Sequence, residues 1–268
     1  CGASAAVAVA RGCSGRRGNP TNASQTPLRA RASSNSGRRE LKFKRKTSVV
    51  ELVDQAQHLT PGGFYLDTST VSVAASAAVA KLFAPTGCDY LRVTVSGNNH
   101  MAEAGQLTLM ASGPEPAWRR VAPALQGWGR VQFYLGEGEQ ARLMKLVINL
   151  MIGQTSAMLA EALSLGSKGG LAWTDLWQVI GASAVASPIV KAKSVQLSQR
   201  DFTPTFTVPQ MLKDIDLILA EGDALQVPLM QTAMTRQMMQ SALAQGWAEQ
   251  DYAAIIKVVE QSAGIHQE

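Results

Sequence analysis

VQFYLGEGEQARLMKLVINLMIGQTSAMLAEALSL, residues 131–165, holds the change of rhythm that decides the fold. It opens on a short burst of β-branched and aromatic residues that stops at Gly136. From Ala141 the chain then runs 25 residues with no proline and one interior glycine, Gly153. That predicts a helix over 141–165, about 37 Å long at 1.5 Å per residue. Leu146, Leu150, Gln154 and Met158 recur at four-residue spacing, as do Val147, Met151 and Thr155. Such a helix is apolar nearly all round, as one packed on several sides should be.

The two sides of this boundary read differently. Upstream, a helix is expected over 49–57, closed by Thr60-Pro61-Gly62-Gly63. Strands come next at 64–66, 90–95, 106–111 and 131–135, with helices at 73–83 and 118–126. Strands separated by helices in this rhythm indicate a βαβ-type sheet. Downstream only helices are expected, over 173–182, 188–196, 209–221, 228–245 and 251–262. Pro188, Pro209 and Pro228 stand at helix starts, where a missing N–H costs nothing. The fold class is therefore α/β, an incomplete Rossmann-type sheet over 48–136, followed by an all-α helical domain over 137–268.

Residues 1–47 form a third region. Residues 1–46 hold eleven Lys/Arg against one acid, Glu40, a net +10 within a chain whose total is +5. The remainder is thus mildly acidic, and nucleic-acid binding would have to rest on this arm alone. Its Ala, Ser, Arg, Gly and Asn cannot bury enough surface to offset chain entropy, and it reads as disordered. Three origins stay open: an organellar transit peptide, a nucleic-acid-binding tail, or a sequence read from a wrong start or frame. Gly12, Gly15 and Gly18 are discounted as a phosphate loop because no strand is expected before them. No apolar run reaches the ~18 residues of a transmembrane helix, so no membrane partner is expected. The three cysteines share no redox or metal spacing, and Cys88 reads as a spectator. His58, His100 and His266 are scattered, and no metal is expected.

Three groups of residues could carry chemistry. Lys145 and Asn149, four apart, share one face of the long helix among Leu143, Met144, Leu146, Val147 and Ile148. A lysine desolvated there would have its pKa lowered toward values useful for proton transfer. A lysine that snorkels to solvent, with Asn149 bonding backbone, fits the pattern as well and is the commoner case. Ser96-Gly97-Asn98-Asn99 comes directly after a strand, where open α/β sheets place ligands, but an ordinary turn explains it too. Asp67-Thr68-Ser69-Thr70 occupies the same place after the preceding strand. Phe206 with Lys213-Asp214 is the third group; Lys213 should find a partner in Asp214 or a bound anion, unless the pair is merely a solvated helix surface.

Read in order, Asp67-Thr68-Ser69-Thr70-Val71, Val95-Ser96-Gly97, Ala102-Glu103-Ala104-Gly105-Gln106-Leu107-Thr108, Gly136 with Lys145 and Asn149, and Phe206 with Lys213-Asp214 resemble a known pattern. It is that of the β-hydroxyacid dehydrogenases, the group of 3-hydroxyisobutyrate dehydrogenase and glyoxylate/succinic semialdehyde reductase. The resemblance runs from about Ser48 to Gly264. It implies an NAD- or NADP-dependent oxidoreductase acting on a small hydroxy acid or semialdehyde carboxylate, as a homodimer or tetramer, in the cytoplasm, or in an organelle matrix if the arm is a transit peptide. Under it Lys145 is the catalytic acid/base, Ser96 and Gly97 hold the substrate carboxylate, and Asn149 orients the substrate. Thr70 lies beside the nicotinamide ribose, and Phe206, Lys213 and Asp214 close over the cofactor. A non-catalytic helical dimerisation scaffold and a nucleic-acid-associated protein acting through the arm are the rival readings.

The chain departs from the family pattern at several places. Arg92-Val93-Thr94 replaces Asp-Ala-Pro, Asn98 replaces a glycine, and the glycine-rich lead-in to the lysine is here Gly136-Glu137-Gly138-Glu139-Gln140-Ala141, with fewer glycines near Lys145. These bear on substrate identity. The Gly-x-Gly-x-x-Gly strand and turn that open the family's sheet have no counterpart in the basic arm. The chain then reads as a piece of an enzyme, with half a sheet and an unpaired strand edge.

Overall fold

The computed structural model describes residues 6–10, 41–45 and 61–265; the helix expected over 49–57 lies outside them. Two compact units divide between Lys145 and Leu146, later than the boundary expected after Gly136.

The first unit is built on one six-stranded sheet. Its strands are β1 (Ala6–Ala10), β2 (Leu41–Arg45), β3 (Phe64–Asp67), β4 (Asp89–Ser96), β5 (Thr108–Ser112) and β6 (Val131–Tyr134), in the order β2-β1-β3-β4-β5-β6. β3 and β4 are parallel, joined through helix α1 (Val73–Phe83), and β5 and β6 are parallel, joined through α3 (Glu115–Val121). β4 and β5 are antiparallel, so the sheet is mixed, and a five-residue helix, α2 (Asn99–Glu103), lies between them in sequence.

Alternation of side chains across the pleat builds two cores from the same strands. Phe64, Leu66, Leu91, Val93, Leu109 and Ala111 pack with Ala117, Trp118, Val121 and Leu125 of the α3 region. Tyr65 and Tyr90, on the alternate positions, pack with Val79 and Phe83 of α1 and with Cys88. All four residues of β3 are buried, which is why Phe-Tyr-Leu-Asp shows no polar alternation. β6 is half exposed at the edge, with Val131 and Phe133 outward. The helix expected over 118–126 is α3 followed by a 3-10 turn over Ala122–Gly127. Pro123, with no N–H to give, ends the α-helical bonding there.

Two expectations for the arm are corrected. Ala6–Ala10 and Leu41–Arg45 are strands of the sheet, not disordered chain. β1 pairs antiparallel with β3, Ala10 beside Phe64 and Val7 beside Asp67, so the β3 edge is covered rather than open. A strand therefore does precede Gly12, Gly15 and Gly18. Its direction, however, delivers the chain to the end of the sheet where β3 begins, away from the carboxyl ends of β3 and β4. Gly12, Gly15 and Gly18 themselves lie outside the described residues.

The second unit is helical. It comprises α4 (Gln140–Lys168) beyond its second turn, α5 (Trp173–Ala182), α6 (Pro188–Leu197), α7 (Val208–Ala224), α8 (Met230–Ala244) and α9 (Ile255–Ser262). Leu159, Ala160 and Leu163 of α4 enter a core with Trp177, Met211, Ile215 and Met239. Buried Lys193 donates to Asp251 Oδ1 at 2.6 Å, and Asp251 also accepts from Thr205 and Ala253, tying α6 to the start of the last helical segment. α4 is long and apolar enough, by length and composition, to cross a membrane, which corrects the expectation that no segment reaches that limit. Lys145, Asn149 and Gln154 interrupt the unbroken apolar run on which that expectation rested. Nor is α4 covered on all sides: Val147, Met151, Met158 and Leu165 are exposed.

Candidate active site

The expected site residues fall into two sets, Thr70, Ser96, Gly97 and Lys145 on the first unit, and Asn149, Phe206, Lys213 and Asp214 on the second.

On the first unit the site is built from the turns at the carboxyl ends of β3 and β4. Asp67 ends β3 and accepts a hydrogen bond from Ser69 N at 2.8 Å, turning the chain into Thr68-Ser69-Thr70. Ser72 then caps α1 by accepting from Ala75 N. β4 ends at Ser96, half-buried, and Gly97 is exposed with φ of 139°. A Cβ at Gly97 would stand 2.7 Å from Leu107 Cδ2, so the turn needs glycine both for its backbone angle and for its space. Asn98 acts locally, its Oδ1 accepting from Met101 N to cap α2.

The first turns of α4 are fastened to these strand ends. Ala141 N donates to Ser112 Oγ and Ala141 O accepts from Thr94 Oγ1 at 3.0 Å, so one helix-start donor and its neighbouring carbonyl are satisfied by β5 and β4. Lys145 is half-buried and its Nζ donates to the Val95 carbonyl at 2.8 Å, next to Ser96-Gly97. Its apolar flanks shield it less than the sequence suggests: Leu146 is buried, but Leu143, Met144 and Val147 are exposed.

A buried charge network lies one turn before the lysine. Arg142, 1% exposed, pairs with Asp67 at 2.6 Å, donates to Ser76 Oγ at 3.0 Å and also donates to Ser69 O. Tyr90 OH donates to Asp67 Oδ2 at 2.5 Å. Burial alone would push the Asp67 carboxyl up; the Arg142 guanidinium and the hydrogen bonds from Tyr90 and Ser69 outweigh it and hold the pKa below the ordinary value. The Tyr90 phenol is pushed up by burial and by the Asp67 charge, so it stays a neutral donor. A second pair joins Arg92 of β4 to Glu139 just before α4. The sequence reading missed both. The signal was there in part, since Arg92 and Glu139 are opposite charges introduced at two of the departures from the family pattern.

On the second unit, Asn149 sits one turn beyond Lys145 in α4, 5% exposed, and its amide donates to Asp214 Oδ2 at 2.6 Å. Asp214 is 1% exposed, so it holds Asn149 from within and offers no open face to a ligand. Lys213 is half exposed, its Nζ 2.5 Å from Asp214 Oδ1, a charge contact without hydrogen-bond alignment. Phe206 is half-buried with its ring edge-on to Tyr252 at 6.2 Å, immediately before the Thr207/Gln210 capping box of α7. Among the described residues, no three His, Cys, Asp or Glu side chains gather as a metal site would need.

Residues 41–136 match the NAD binding domain of 6-phosphogluconate dehydrogenase, and residues 139–259 match the NAD-binding domain of NADP-dependent 3-hydroxyisobutyrate dehydrogenase. The first match begins at Leu41, so the end of the basic arm belongs to the domain. The chain is 36% identical over 205 residues to 2-(hydroxymethyl)glutarate dehydrogenase of Eubacterium barkeri, covering 76% of this chain and 68% of that one. It is 30% identical over 201 residues to the chloroplastic glyoxylate/succinic semialdehyde reductase 2 of Arabidopsis thaliana, covering 75% of this chain and 56% of that one. Among solved structures, a 3-hydroxyisobutyrate dehydrogenase of Salmonella typhimurium superposes with a TM-score of 0.71 at 27% identity, over 76% of this chain and 72% of that one. By its motifs, its fold and these relatives, the chain belongs to the β-hydroxyacid dehydrogenase family of NAD(P)-dependent oxidoreductases.

Proposed function

We propose that the chain carries out reversible reduction of a small semialdehyde or keto carboxylate to the hydroxy acid, with Lys145 as the proton donor and acceptor. The observation that carries this reading is the Lys145 ammonium fixed at 2.8 Å on the Val95 carbonyl, beside the Ser96-Gly97 turn. A bound nicotinamide supplies or accepts the hydride. The described residues fit its nicotinamide end: Thr70 and Ser96-Gly97 lie at or just beyond the carboxyl ends of parallel strands, where open sheets take ligands. They form no glycine cradle for the pyrophosphate. Ser96 and the Gly97 backbone hold the substrate carboxylate, and Lys145 gives its proton to the carbonyl oxygen as that oxygen gains charge. Asn149 has the role of orienting the substrate, its amide fixed by Asp214.

The test is oxidation of NADH or NADPH, supplied at millimolar concentration, with glyoxylate or succinic semialdehyde as acceptor. Lys145→Ala should lower turnover by about 10²–10⁴-fold, the usual contribution of a positioned acid, with a smaller change in KM. Undiminished turnover in that variant would remove Lys145 from the chemistry. No turnover with either acceptor, together with stable self-association, would favour the scaffold reading.

A further inference from the structure

The position of the Lys145 ammonium depends on where the first two turns of α4 stand against β3 and β4. Two hydrogen bonds through Ala141 pin the helix start to β4 and β5. Two charge pairs add side-chain ties further from the helix axis, where a contact resists rotation most. Glu139 reaches Arg92 on β4, and Arg142 reaches Asp67 at the end of β3, so the helix start is held to two neighbouring strands at once. Arg142, Asp67 and Arg92 are 1%, 3% and 5% exposed. Such pairs are poor devices for stability alone, because well-packed apolar residues of similar volume usually do as well or better. What a pair of buried, directional contacts adds is a single geometry. The Arg92–Glu139 pair even leaves Arg92 Nε and Glu139 Oε2 without hydrogen-bond partners, a cost that the Arg92 guanidinium offsets only in part by lying over the Tyr90 ring at 4.7 Å.

We propose that Arg142 and Glu139 are positioning residues for Lys145: paired with Asp67 and Arg92, they set the rotation of the first turns of α4 and thereby hold the Lys145 ammonium on the Val95 carbonyl. This rests on the proposed role of Lys145 in proton transfer, but the hold itself can be read without turnover.

The full chain is labelled with lysine carrying ¹⁵N at the ammonium, and the Lys145 signal is identified by its loss in Lys145→Arg. An ammonium held by a carbonyl exchanges its protons slowly enough to be observed. Glu139→Gln and Arg142→Gln should each speed that exchange until the Lys145 signal is lost, while Lys193, paired with Asp251 on the other unit, keeps its own. The exchanged pair Arg92→Glu/Glu139→Arg should restore the signal. In the turnover assay the single variants should lose about tenfold to a hundredfold in kcat, the scale of an ångström-level misplacement, with KM much less affected. Glu139 is 16% exposed at its side chain, so Glu139→Gln decides the question if Arg142→Gln does not fold. A Lys145 signal unchanged in Glu139→Gln would overturn the proposal and leave the pairs as structural staples, whether or not the chain turns over substrate. A signal lost in the single variant and regained in the exchanged pair would establish it.

Discussion

Asp67 joins the end of β3 to the start of α4 through a charge that acid can remove. Its folded pKa lies below the ordinary aspartate value of about 3.9, so ionised Asp67 contributes stability above that value. The contribution is lost as pH falls through the lower, folded pKa. Urea unfolding followed from neutral pH into this acid range should therefore show a steep loss of stability that Asp67→Asn flattens. At neutral pH the same variant should be less stable by about 3–5 kcal/mol, because Arg142 is left buried without its counter-charge. Parallel acid limbs in the two proteins would mean that Asp67 does not hold its charge against Arg142.

At the scale of elements, the turn after β4 is the most exacting. Gly97→Ala forces a side chain into a backbone region with φ of 139° and against Leu107, which should cost about 1–3 kcal/mol in urea unfolding and raise the KM for the carboxylate substrate. Wild-type stability in the variant would show that the turn relaxes into another conformation. Much of this element scale was legible in the sequence. The four strands from Phe64 onward and the helices over 73–83 and 173–182 stand where residue pattern and turn residues put them. Ala6–Ala10 was not legible, because its alanines disfavour a strand and Val7 and Val9 alone, in a stretch of small and polar residues, gave too short a signal; pairing with β3 supplies the rest. α2 was too short to leave a periodic trace and is announced only by its Asn98 cap. Among candidate site residues, Lys145 and Ser96-Gly97 were readable only as two separate groups, and the Val95 carbonyl brings the lysine beside the turn. Arg142 and Asp67, 75 positions apart, carry no pattern that links them before the chain is folded. The burial of Asp214 was equally hidden, since its sequence neighbour Lys213 looks like its natural and solvated partner.

At the scale of the molecule, the exposed row on α4 calls for a cover. Met151, Met158 and Leu165 recur every seventh residue at 64%, 50% and 78% exposure, with Val147 beside them at 46%. A seven-residue apolar repeat is the seam by which one helix packs along another. We expect a homodimer in solution through this row, seen by light scattering at micromolar concentration, with Met151→Glu shifting it to monomer. A wild-type chain that is monodisperse and monomeric would contradict this.

The burial of Cys88 behind α1 has a kinetic consequence for the whole first unit. Burial, with the Asp89 charge beside it, pushes this thiol up to about 11, so at neutral pH only about one molecule in ten thousand carries the reactive thiolate. Reagents that attack thiolates therefore pass over it in the native state and meet it only when the core of Tyr65, Phe83 and Tyr90 comes apart. With reagent concentrated enough that alkylation outpaces reclosing, each alkylated Cys88 is the record of one opening, and its rate of accumulation is a clock for the native lifetime of the unit that holds Lys145.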